Sequence, residues 1–480
     1  MAAHHLTLLQ INDTHAYLEP HPEVFWGPEG PTFRVAGGVA RIAGLVHRIG
    51  EETGHRSLLL DCGDTLHGTG PAQMSRGEVM VPVLNALGIG AMTAHWDFAF
   101  GPERLRELGR RLDYPILAVN CFEEESNRRP FEGSVLLDIG GLQVGVIGCA
   151  ATILDKTMPP SFSAGLRFTT GKEELPGEIR SLRERGAGLI VVLSHLGLPQ
   201  DIRLASEIGG IDVLLSGHTH HRLRSPIRTN GTLIIQSGAH GSFLGRLDLT
   251  VDEGGIRGFS HRLLPVDERC PVDPTVASLV EEAVSPFRST LGRVVGSTAY
   301  PLYRGEMFSS GMDTFLLEAI RGVTGTELVF SNGWRYGTPI LPGPITTGDL
   351  HSIIPMNPEV MTITLTGAEL REMIEENIER TFSCDPYGQM GGYLKRCLGM
   401  TCYLKLENPP GHRIQDCWIG TRRLDPSGRY RAAFVTVQGV PGRFGTGRAG
   451  TGISAHQAME KMLVERSPYR PTDGVPFRVI

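Results

Sequence analysis

The chain has 480 residues, of which 40% are hydrophobic and 20% charged, so it has ample material for packed cores and is neither disordered nor low in complexity. Its 46 basic and 52 acidic residues give a net charge of −6 at pH 7, which offers no basic surface for nucleic acid. At roughly 150 residues per domain, the length predicts two or three domains.

The first half of the chain alternates short apolar runs with amphipathic segments. The apolar runs are LTLLQIN, SLLLDCG, GLQVGVIG, GLIVVLSH and IDVLLSGH. Amphipathic stretches such as VARIAGLVHRIGEE lie between them, which is the pattern of buried strands covered by helices. We therefore predict an α/β domain over residues 1–267, to which TLIIQSG and GRLDLTV add antiparallel strands.

The pattern changes near residue 270. The segment CPVDPTVASLVEEAVSPF surrounds one helical stretch with prolines and predicts a linker helix over residues 268–292. Beyond it, two amphipathic helices, MDTFLLEAIRGVTG and TGAELREMIEENIER, alternate with strand-like runs. The second of these helices begins with Thr366 and Glu369 at the spacing of a capping box. Residues 293–480 therefore predict an α+β domain.

The sequence also bears on the compartment. It contains no run near the roughly 20 apolar residues that span a bilayer, and the residues before the first apolar run are too few for a signal peptide. Its eight cysteines form no CxxC pair, which argues against a thiolate zinc site or thioredoxin-type chemistry. We expect reduced thiols, a cytoplasmic location and no membrane contact.

Polar side chains directly follow several of the predicted strands. They are Asp13, His15, Asp64, His195, His218 and His220. Because open α/β sheets bind ligands outside the carboxyl ends of their strands, we expect these two carboxylates and four imidazoles to meet in one crevice. This donor set lacks thiolate and suits Mn, Zn, Fe, Co or Ni. A shared carboxylate can bridge two such ions about 3.5–4 Å apart, and the pair acidifies a bridging water.

These segments resemble the calcineurin-like metallophosphoesterases, and more closely the two-domain 5′-nucleotidase / 2′,3′-cyclic phosphodiesterase family. The similar segments are LLQINDTHAYLEP, GGVARIAGLV, LLLDCGDTLHGTG, VVLSHLGLPQD, LLSGHTHHRL and PITTGDLHSIIPMNPEVMTITLTGAELREMIEENI. The resemblance implies a four-layer α/β/β/α metallophosphoesterase sandwich, followed by an α+β 5′-nucleotidase C-terminal domain that binds substrate and covers the metals.

The resemblance also implies a dinuclear metal site. One divalent ion would be held by Asp13, His15, Asp64 and His220. The other would be held by Asp64, His95, His195 and His218. Manganese is the first choice for these ions, and zinc, iron, cobalt and nickel are the alternatives.

The chain departs from the family where the usual motif reads GNHEFDFG and this sequence reads AHWDFAFG. His95 stands in place of the Asn ligand, and an imidazole is a competent replacement. Trp96 stands in place of the catalytic His, and Ala99 in place of its Asp partner. The group that protonates the leaving oxygen is therefore missing, although such a group is typically worth about 10²–10⁴-fold. We consider His67 and His240 as substitutes.

The second half offers candidates for substrate binding. Arg335 matches the family's anion-binding Arg, and a guanidinium binds phosphate and sulfate equally well. Trp334 and Tyr336 flank Arg335 and offer an aromatic surface. Phe444 is a possible ring for base stacking, and in the first domain Trp96 would line the site.

These observations predict a dinuclear metal-dependent hydrolase that cleaves the phosphate monoester of a nucleotide or a related small phosphate ester. A metal-bridging hydroxide would be the nucleophile, and a small anionic substrate the binding partner. An alternative follows from AHWDFAFG, NGWRYGTPILPG and DPYGQMGGYLKR, which resemble the thiosulfohydrolases of bacterial sulfur oxidation. Those enzymes use two manganese ions to release sulfate from a cysteine-bound thiosulfonate on a carrier protein. A further alternative is an inactive homologue that only binds metal.

Overall fold

The computed structural model describes residues 3–472 and 474–480. The chain divides into two compact units. The first contains the chain up to residue 23 and residues 34–286, and the second contains residues 24–33 and 287–480. The division along the chain at residues 286 and 287 falls inside the predicted linker.

The regular elements up to residue 286 form an α/β unit. Its strands, including a hairpin whose tip groups with the second unit, are β1 (His4–Ile11), β2 (Pro20–Gly27), β3 (Gly30–Gly37), β4 (Ser57–Asp61), β5 (Ile89–Met92), β6 (Cys121–Glu123), β7 (Ser134–Ile139), β8 (Leu142–Cys149), β9 (Leu166–Phe168), β10 (Leu189–Ser194), β11 (Val213–Ser216), β12 (Ile227–Thr229), β13 (Thr232–Ile235), β14 (Phe243–Asp252) and β15 (Gly255–Pro265). Its helices are α1 (Val39–Glu52), α2 (Gly70–Ser75), α3 (Met80–Asn85), α4 (Pro102–Gly109), α5 (Leu154–Thr157), α6 (Leu175–Glu184), α7 (Leu198–Glu207) and α8 (Pro274–Val284). Short 3₁₀ helices cover Trp96–Phe100 and Pro160–Phe162.

Two mixed sheets form the centre of this unit. The first has the strand order β15-β14-β1-β4-β5, and the second has the order β12-β13-β11-β10-β8-β7. Strands β1, β4 and β5 run parallel, as do β8, β10, β11 and β13. The antiparallel strands β14 and β15 extend the first sheet on one side. The five apolar runs predicted as buried strands all form parallel strands of these sheets. The expectation that TLIIQSG adds an antiparallel strand is wrong, because this segment forms β13, which pairs parallel with β11. GRLDLTV forms the antiparallel strand β14, as predicted.

The apolar side chains of the two sheets meet in one buried core. Leu8 and Leu60 come from the first sheet, and Val146, Val191 and Leu215 come from the second. On its other face the second sheet packs against α6 and α7 through a separate buried cluster. Helix α1 covers β4 of the first sheet and packs along α8. The unit is thus a helix–sheet–sheet–helix sandwich of four layers, as expected.

The second unit is mixed α+β. Its strands are β16 (Val294–Thr298), β17 (Leu328–Gly333), β18 (Gly343–Thr346), β19 (Glu359–Thr366), β20 (Tyr393–Leu398), β21 (Met400–Leu404), β22 (Ile414–Ile419), β23 (Arg422–Arg423), β24 (Arg429–Phe434), β25 (Thr446–Ser454) and β26 (Phe477–Val479). Its helices are α9 (Arg288–Leu291), α10 (Gly311–Thr324), α11 (Thr347–Ile353), α12 (Gly367–Phe382), α13 (Thr436–Gly439) and α14 (Ala455–Glu465). The central sheet has the order β20-β17-β24-β19-β25, and a smaller sheet has the order β23-β22-β21-β26.

Helix α12 begins at a capping box, as the sequence predicts. The Thr366 side chain accepts a hydrogen bond from the backbone N–H of Glu369, and the Glu369 carboxylate accepts one from the backbone N–H of Thr366. This pairing satisfies two donors that would otherwise lack partners at the helix start. Helix α12 then packs its apolar face, including Leu370 and Ile374, into the core of the second unit.

The expectation that all eight cysteines are reduced is wrong for one pair. Cys402 in β21 and Cys417 in β22 form a disulfide, and they are directly paired in the antiparallel register of the two strands. The two cysteines are 15 residues apart, so they form no CxxC motif, and only the pairing of the two strands brings them together. A disulfide is typical of proteins from oxidising compartments and does not support the predicted cytoplasmic location. That location stays a prediction.

Across residues 3–472 and 474–480, none of the helices combines the length and the apolar character needed to cross a bilayer.

Candidate metal centre

The predicted ligands lie in loops at the carboxyl ends of parallel strands in both sheets of the first unit. Asp13 and His15 follow β1, Asp64 follows β4 and His95 follows β5. In the second sheet, His195 follows β10, the HTH segment with His218 and His220 follows β11, and the loop with His240 follows β13. Because parallel strands point the same way, the register of each sheet gathers these loops at one edge.

The backbone at these loops is unusual. Several residues of the site have positive φ angles, namely Asp13 (51°), His15 (49°), Asp64 (57°), His218 (70°), His220 (56°) and His240 (58°). Residues other than Gly rarely adopt this left-handed conformation, and where they do the surrounding structure enforces it. The clustering of such residues around one set of imidazoles and carboxylates indicates a functional site.

The first group of donors consists of Asp64, His95, His195 and His218, whose ligand atoms lie within 4.8 Å of one another. Asp64 is at its centre. One carboxylate oxygen lies 3.1 Å from His95 Nδ1, and the other lies 3.2 Å from His195 Nε2. These spacings are suited to a small cation that all four side chains would contact.

The second group consists of Asp13, His15 and His220, again with ligand atoms within 4.8 Å of one another. His220 Nε2 lies 3.2 Å from Asp13 Oδ1 and 3.3 Å from His15 Nε2. The two groups are adjacent, since His15 Nε2 lies 3.9 Å from Asp64 Oδ2. Asp64 is thus within reach of both groups, as a bridging carboxylate must be.

The electrostatics favour positive charge at this position. Burial alone would raise the pKa of Asp13, but the imidazoles of His220 and His195 lower it to about 2. Burial also opposes ionisation of Asp64, yet His95 and His195 hold its pKa well below the usual value. Burial lowers the pKa of His15 to about 3. The carboxylates are therefore charged and His15 is neutral, which are the forms that bind metal.

His195 provides a direct test of whether these side chains fit a metal ion. Its side chain is fully buried, and Nδ1 donates to the backbone oxygen of Cys62. The other ring nitrogen, Nε2, is buried without a hydrogen-bond partner although it faces Asp64 and Asp13. Metal-bound histidines commonly donate their second ring nitrogen to a carbonyl in this way. The donor set thus fits a divalent ion, which would supply the contact that Nε2 lacks.

Asp97, which we did not predict as a site residue, joins the loops of two ligands. Its carboxylate is fully buried and accepts hydrogen bonds from four backbone N–H groups. Oδ2 accepts from Asp64 (3.0 Å) and His95 (3.1 Å), and Oδ1 accepts from Thr65 (2.9 Å) and Leu66 (2.8 Å). Asp97 therefore fixes the β4 and β5 loops relative to each other. Its position as the only acidic residue of the AHWDFAFG segment is the signal that could have identified it.

Two of the three departures from the family motif, Trp96 and Ala99, are also in this segment. The backbone N–H of Trp96 donates to Asp64 Oδ1 at 2.6 Å, and the half-buried indole has its centroid 5.7 Å from that of His15 and 5.4 Å from that of His67. Ala99 is buried. The indole forms a wall beside the donor groups and has a donor N–H but no acceptor, so it cannot shuttle a proton as an imidazole does.

The two candidate proton donors have different surroundings. His67 is buried between the rings of Trp96 and Phe100, and burial lowers its pKa to about 4. His240 is also buried, and its ring centroid is 5.9 Å from that of His15 and 5.8 Å from that of His220. The Glu23 carboxylate lies 3.1 Å from His240 Nδ1.

The substrate-binding candidates of the second half lie in the second unit. Trp334, Arg335 and Tyr336 follow β17. The Arg335 guanidinium donates to the backbone oxygen of Gly392 and lies 5.7 Å from the ring centroid of Tyr393. Trp334 and Tyr336 are largely buried. Phe444 is part of the apolar core with the Arg443 guanidinium over its ring, and this placement favours packing over base stacking.

A buried ionic cluster, also absent from the sequence predictions, holds the Trp334–Tyr336 segment. Arg304 and Arg396 each donate to Asp313 at 2.8 Å, and all three side chains are buried. Arg304 also donates to the backbone oxygen of Tyr336 and lies over the Trp334 ring. Because a buried charge left without a partner is costly, this cluster fixes the segment that presents Arg335.

Comparison with known proteins gives matches along most of the chain. Residues 294–437 match the family model described as 5′-nucleotidase, C-terminal domain. A probable 5′-nucleotidase of Treponema pallidum is 23% identical over 449 residues, covering 78% of this chain and 75% of the relative. The trifunctional nucleotide phosphoesterase protein YfkN of Bacillus subtilis is 24% identical over 86% of this chain. The match spans only 30% of the length of that relative.

Two solved structures from Thermus thermophilus match nearly the whole chain. The sulfate thiohydrolase SoxB, solved with glycerol, has a TM-score of 0.89 and 28% identity, and the match covers 99% of this chain and 96% of SoxB. A 5′-nucleotidase precursor has a TM-score of 0.87 and 23% identity, with 99% of both chains covered. The second match supports the fold, and the first is similar in sequence as well.

Proposed function

We propose that the chain is a calcineurin-like phosphoesterase with a 5′-nucleotidase C-terminal domain and that it is a dinuclear metal-dependent hydrolase of phosphate monoesters. The match of residues 294–437 to the 5′-nucleotidase C-terminal family and the similarity to known 5′-nucleotidases support this proposal. The substrate is a nucleotide or a related small phosphate ester. The observation that supports this proposal is the pair of adjacent, buried donor groups around Asp64, with His195 Nε2 facing two carboxylates and lacking a hydrogen bond.

Seven side chains hold the ions in this proposal. They are Asp13, His15, Asp64, His95, His195, His218 and His220. When bound, two divalent ions supply Lewis acidity that activates water for attack and neutralises charge on the departing oxygen. The donors are carboxylates and imidazoles without thiolate, and we take manganese as the resident metal, with Zn, Fe, Co and Ni as the alternatives.

The protein's own groups fix the geometry of this site. The backbone N–H of His218 donates to both oxygens of Asp13, at 3.1 and 2.9 Å, and Asn12 donates to Asp13 Oδ2 at 2.7 Å. These bonds orient the carboxylate before any ion binds, which is the role of partners around metal ligands. In the second unit, Arg335 is the group that we propose to bind the phosphate, since its guanidinium can form two parallel bonds to phosphate oxygens.

The release of sulfate from a thiosulfonate is a second candidate function. It is supported by the 28% identity and 0.89 TM-score to the sulfate thiohydrolase SoxB, together with the His95-Trp96 sequence. The two candidates need the same metal centre and differ in the bond that is broken. They therefore differ in the product that is released, phosphate or sulfate.

A substrate panel tests the proposal. Protein loaded with Mn²⁺ is incubated with AMP, 2′,3′-cyclic AMP, 4-nitrophenyl phosphate and a cysteine S-thiosulfonate peptide, and phosphate and sulfate are measured. We expect phosphate release from at least one monoester, abolished in His195→Ala and unchanged in the exposed control His47→Ala. Sulfate release without any phosphate release would replace the first function by the second. Full metal loading without either product would indicate an inactive homologue.

A further inference from the structure

His240 has a fixed position beside the second donor group. It lies in the loop after β13, and its backbone N–H donates to the backbone oxygen of Asp13 at 2.7 Å. Its ring contacts the rings of His15, His220 and Tyr17, with centroids 5.2–5.9 Å apart. The side chain is only 6% exposed. The imidazole therefore lies beside His15 and His220, two of the side chains that would hold one of the proposed ions.

Glu23 holds the imidazole by its Nδ1 edge. Its carboxylate lies 3.1 Å from His240 Nδ1, accepts a hydrogen bond from Ser242 at 2.8 Å and accepts one from Arg222 at 3.0 Å. Burial opposes ionisation of Glu23, but the hydrogen bond and charge of His240, with the charge of Arg222, lower its pKa to about 2. A carboxylate only accepts hydrogen bonds, so Nδ1 carries a proton and any exchange with a substrate takes place at Nε2.

This pair has the composition of the dyad that the AHWDFAFG segment lacks, but it is built from different parts of the chain. Glu23 and His240 are separated by 217 residues, and neither belongs to that segment. Arg222 lies two residues after His220, so the same loop that carries His220 also supports Glu23. His67, the other candidate, is buried between the rings of Trp96 and Phe100.

We infer that His240 is the catalytic acid of the proposed hydrolase and that Glu23 is its positioning residue. This inference rests on the proposed function. Water attacks the phosphorus atom, the bond between phosphorus and the leaving oxygen breaks, and its electron pair stays on that oxygen. The oxygen takes the proton from His240 Nε2. The attacking water releases a proton to solvent, and His240 regains a proton from solvent. The products are an alcohol and inorganic phosphate.

The most informative variant is His240→Gly. The φ angle of His240 is 58°, a conformation that Gly adopts without strain, so this variant removes the imidazole and keeps the backbone. His55→Gly is a matched control, because His55 is exposed and has a φ angle of 60°. Glu23→Gln is the second variant, which keeps the shape of the side chain and removes its charge. Metal content is measured for every variant, and kcat is measured with Mn²⁺ at saturation.

The assay compares leaving groups. The alkoxide of AMP needs a proton in order to leave, whereas 2,4-dinitrophenolate leaves readily without one. We therefore expect His240→Gly to lower kcat for AMP by about 10²–10⁴-fold and for 2,4-dinitrophenyl phosphate by less than about threefold. Added imidazole should restore at least about tenfold for AMP. Glu23→Gln should lower kcat for AMP by about 10–100-fold. His55→Gly should match the wild type, and two ions should stay bound throughout.

The outcomes separate the two claims. If His240→Gly binds two ions and loses kcat equally for both esters, or for neither, the role of His240 is overturned. The proposed function would still stand in that case, because the wild type hydrolyses the esters. If His240→Gly does not fold, Glu23→Gln decides the question through the same comparison of esters. A metal-loaded wild type that hydrolyses no phosphate ester would overturn the proposed function and the proton-transfer role together.

Discussion

Replacing Asp97 by Asn tests the structural basis of the metal centre. The wild-type carboxylate accepts four backbone hydrogen bonds, two at each oxygen. The amide of Asn keeps one acceptor oxygen and turns an NH₂ group toward the other two N–H donors. Two buried N–H groups therefore lose their partner. These two N–H groups are either those of Asp64 and His95 or those of Thr65 and Leu66. The backbone that carries them is then no longer held in place.

The magnitude follows from the number of lost bonds. A buried donor without a partner costs about 1–3 kcal/mol, so two cost about 2–6 kcal/mol. Burial, followed by the charge of Asp64, raises the pKa of Asp97, so a neutral amide recovers part of this cost. We expect a net loss of about 3 kcal/mol, which lowers the melting temperature by roughly 6–12 °C. Metal affinity should fall by about 10–100-fold, because the loops of two ligands shift.

Thermal unfolding and metal analysis of the same samples check this prediction. Asp97→Asn and the exposed control Asp113→Asn are each measured as metal-free protein and after loading with Mn²⁺. The control should match the wild type in both states. A melting temperature and metal occupancy for Asp97→Asn that equal those of the wild type would show that Asp97 does not hold the two ligand loops in place.

Three other changes have defined outcomes. His95→Ala should lose the ion of the Asp64 group, so that metal analysis finds about one ion per chain instead of two, whereas His95→Asn, which restores the family's usual ligand, should keep both. Folding lowers the pKa of Glu23 from 4.5 to about 2. The charged carboxylate therefore contributes about 3 kcal/mol to the free energy of unfolding above pH 4.5, and this contribution is lost as the pH falls toward 2. Urea unfolding should show that Glu23→Gln is less stable than the wild type at pH 7 and that the difference narrows below pH 4.5. Replacing Cys402 and Cys417 by Ala opens a loop of 15 residues and should lower the free energy of unfolding by about 3 kcal/mol in urea melts. An unchanged free energy of unfolding would show that the two thiols are not joined.

Much of the fold follows from local patterns in the sequence. Every side chain of the strand Leu189–Ser194 is buried. A central parallel strand of this kind appears in the sequence as a continuous apolar run. The polar residue directly after such a run identifies the functional edge of the sheet, which is how His195 was found. The order of strands in the two sheets depends on pairings between distant segments, and a single sequence does not encode these in a local pattern.

The parts of the site that were missed depend on contacts made at long range. Glu23 lies in the β2–β3 hairpin, which forms a two-stranded sheet of its own. It becomes important only because His240, 217 residues away, folds against it. The disulfide between Cys402 and Cys417 depends on the register of two strands, which no spacing rule revealed. The domain boundaries stay predictions, and a linear division cannot express that residues 24–33 group with the second unit.

The proposed hydrolase needs two divalent ions in the adjacent donor groups around Asp64. The most direct measurement is a titration of metal-stripped protein with Mn²⁺, in which bound metal and phosphate release from 4-nitrophenyl phosphate are followed together. We expect no phosphate release from the stripped protein and a rise in rate that levels off at two bound ions per chain. Phosphate release by the stripped protein, or none with both ions bound, would contradict this expectation.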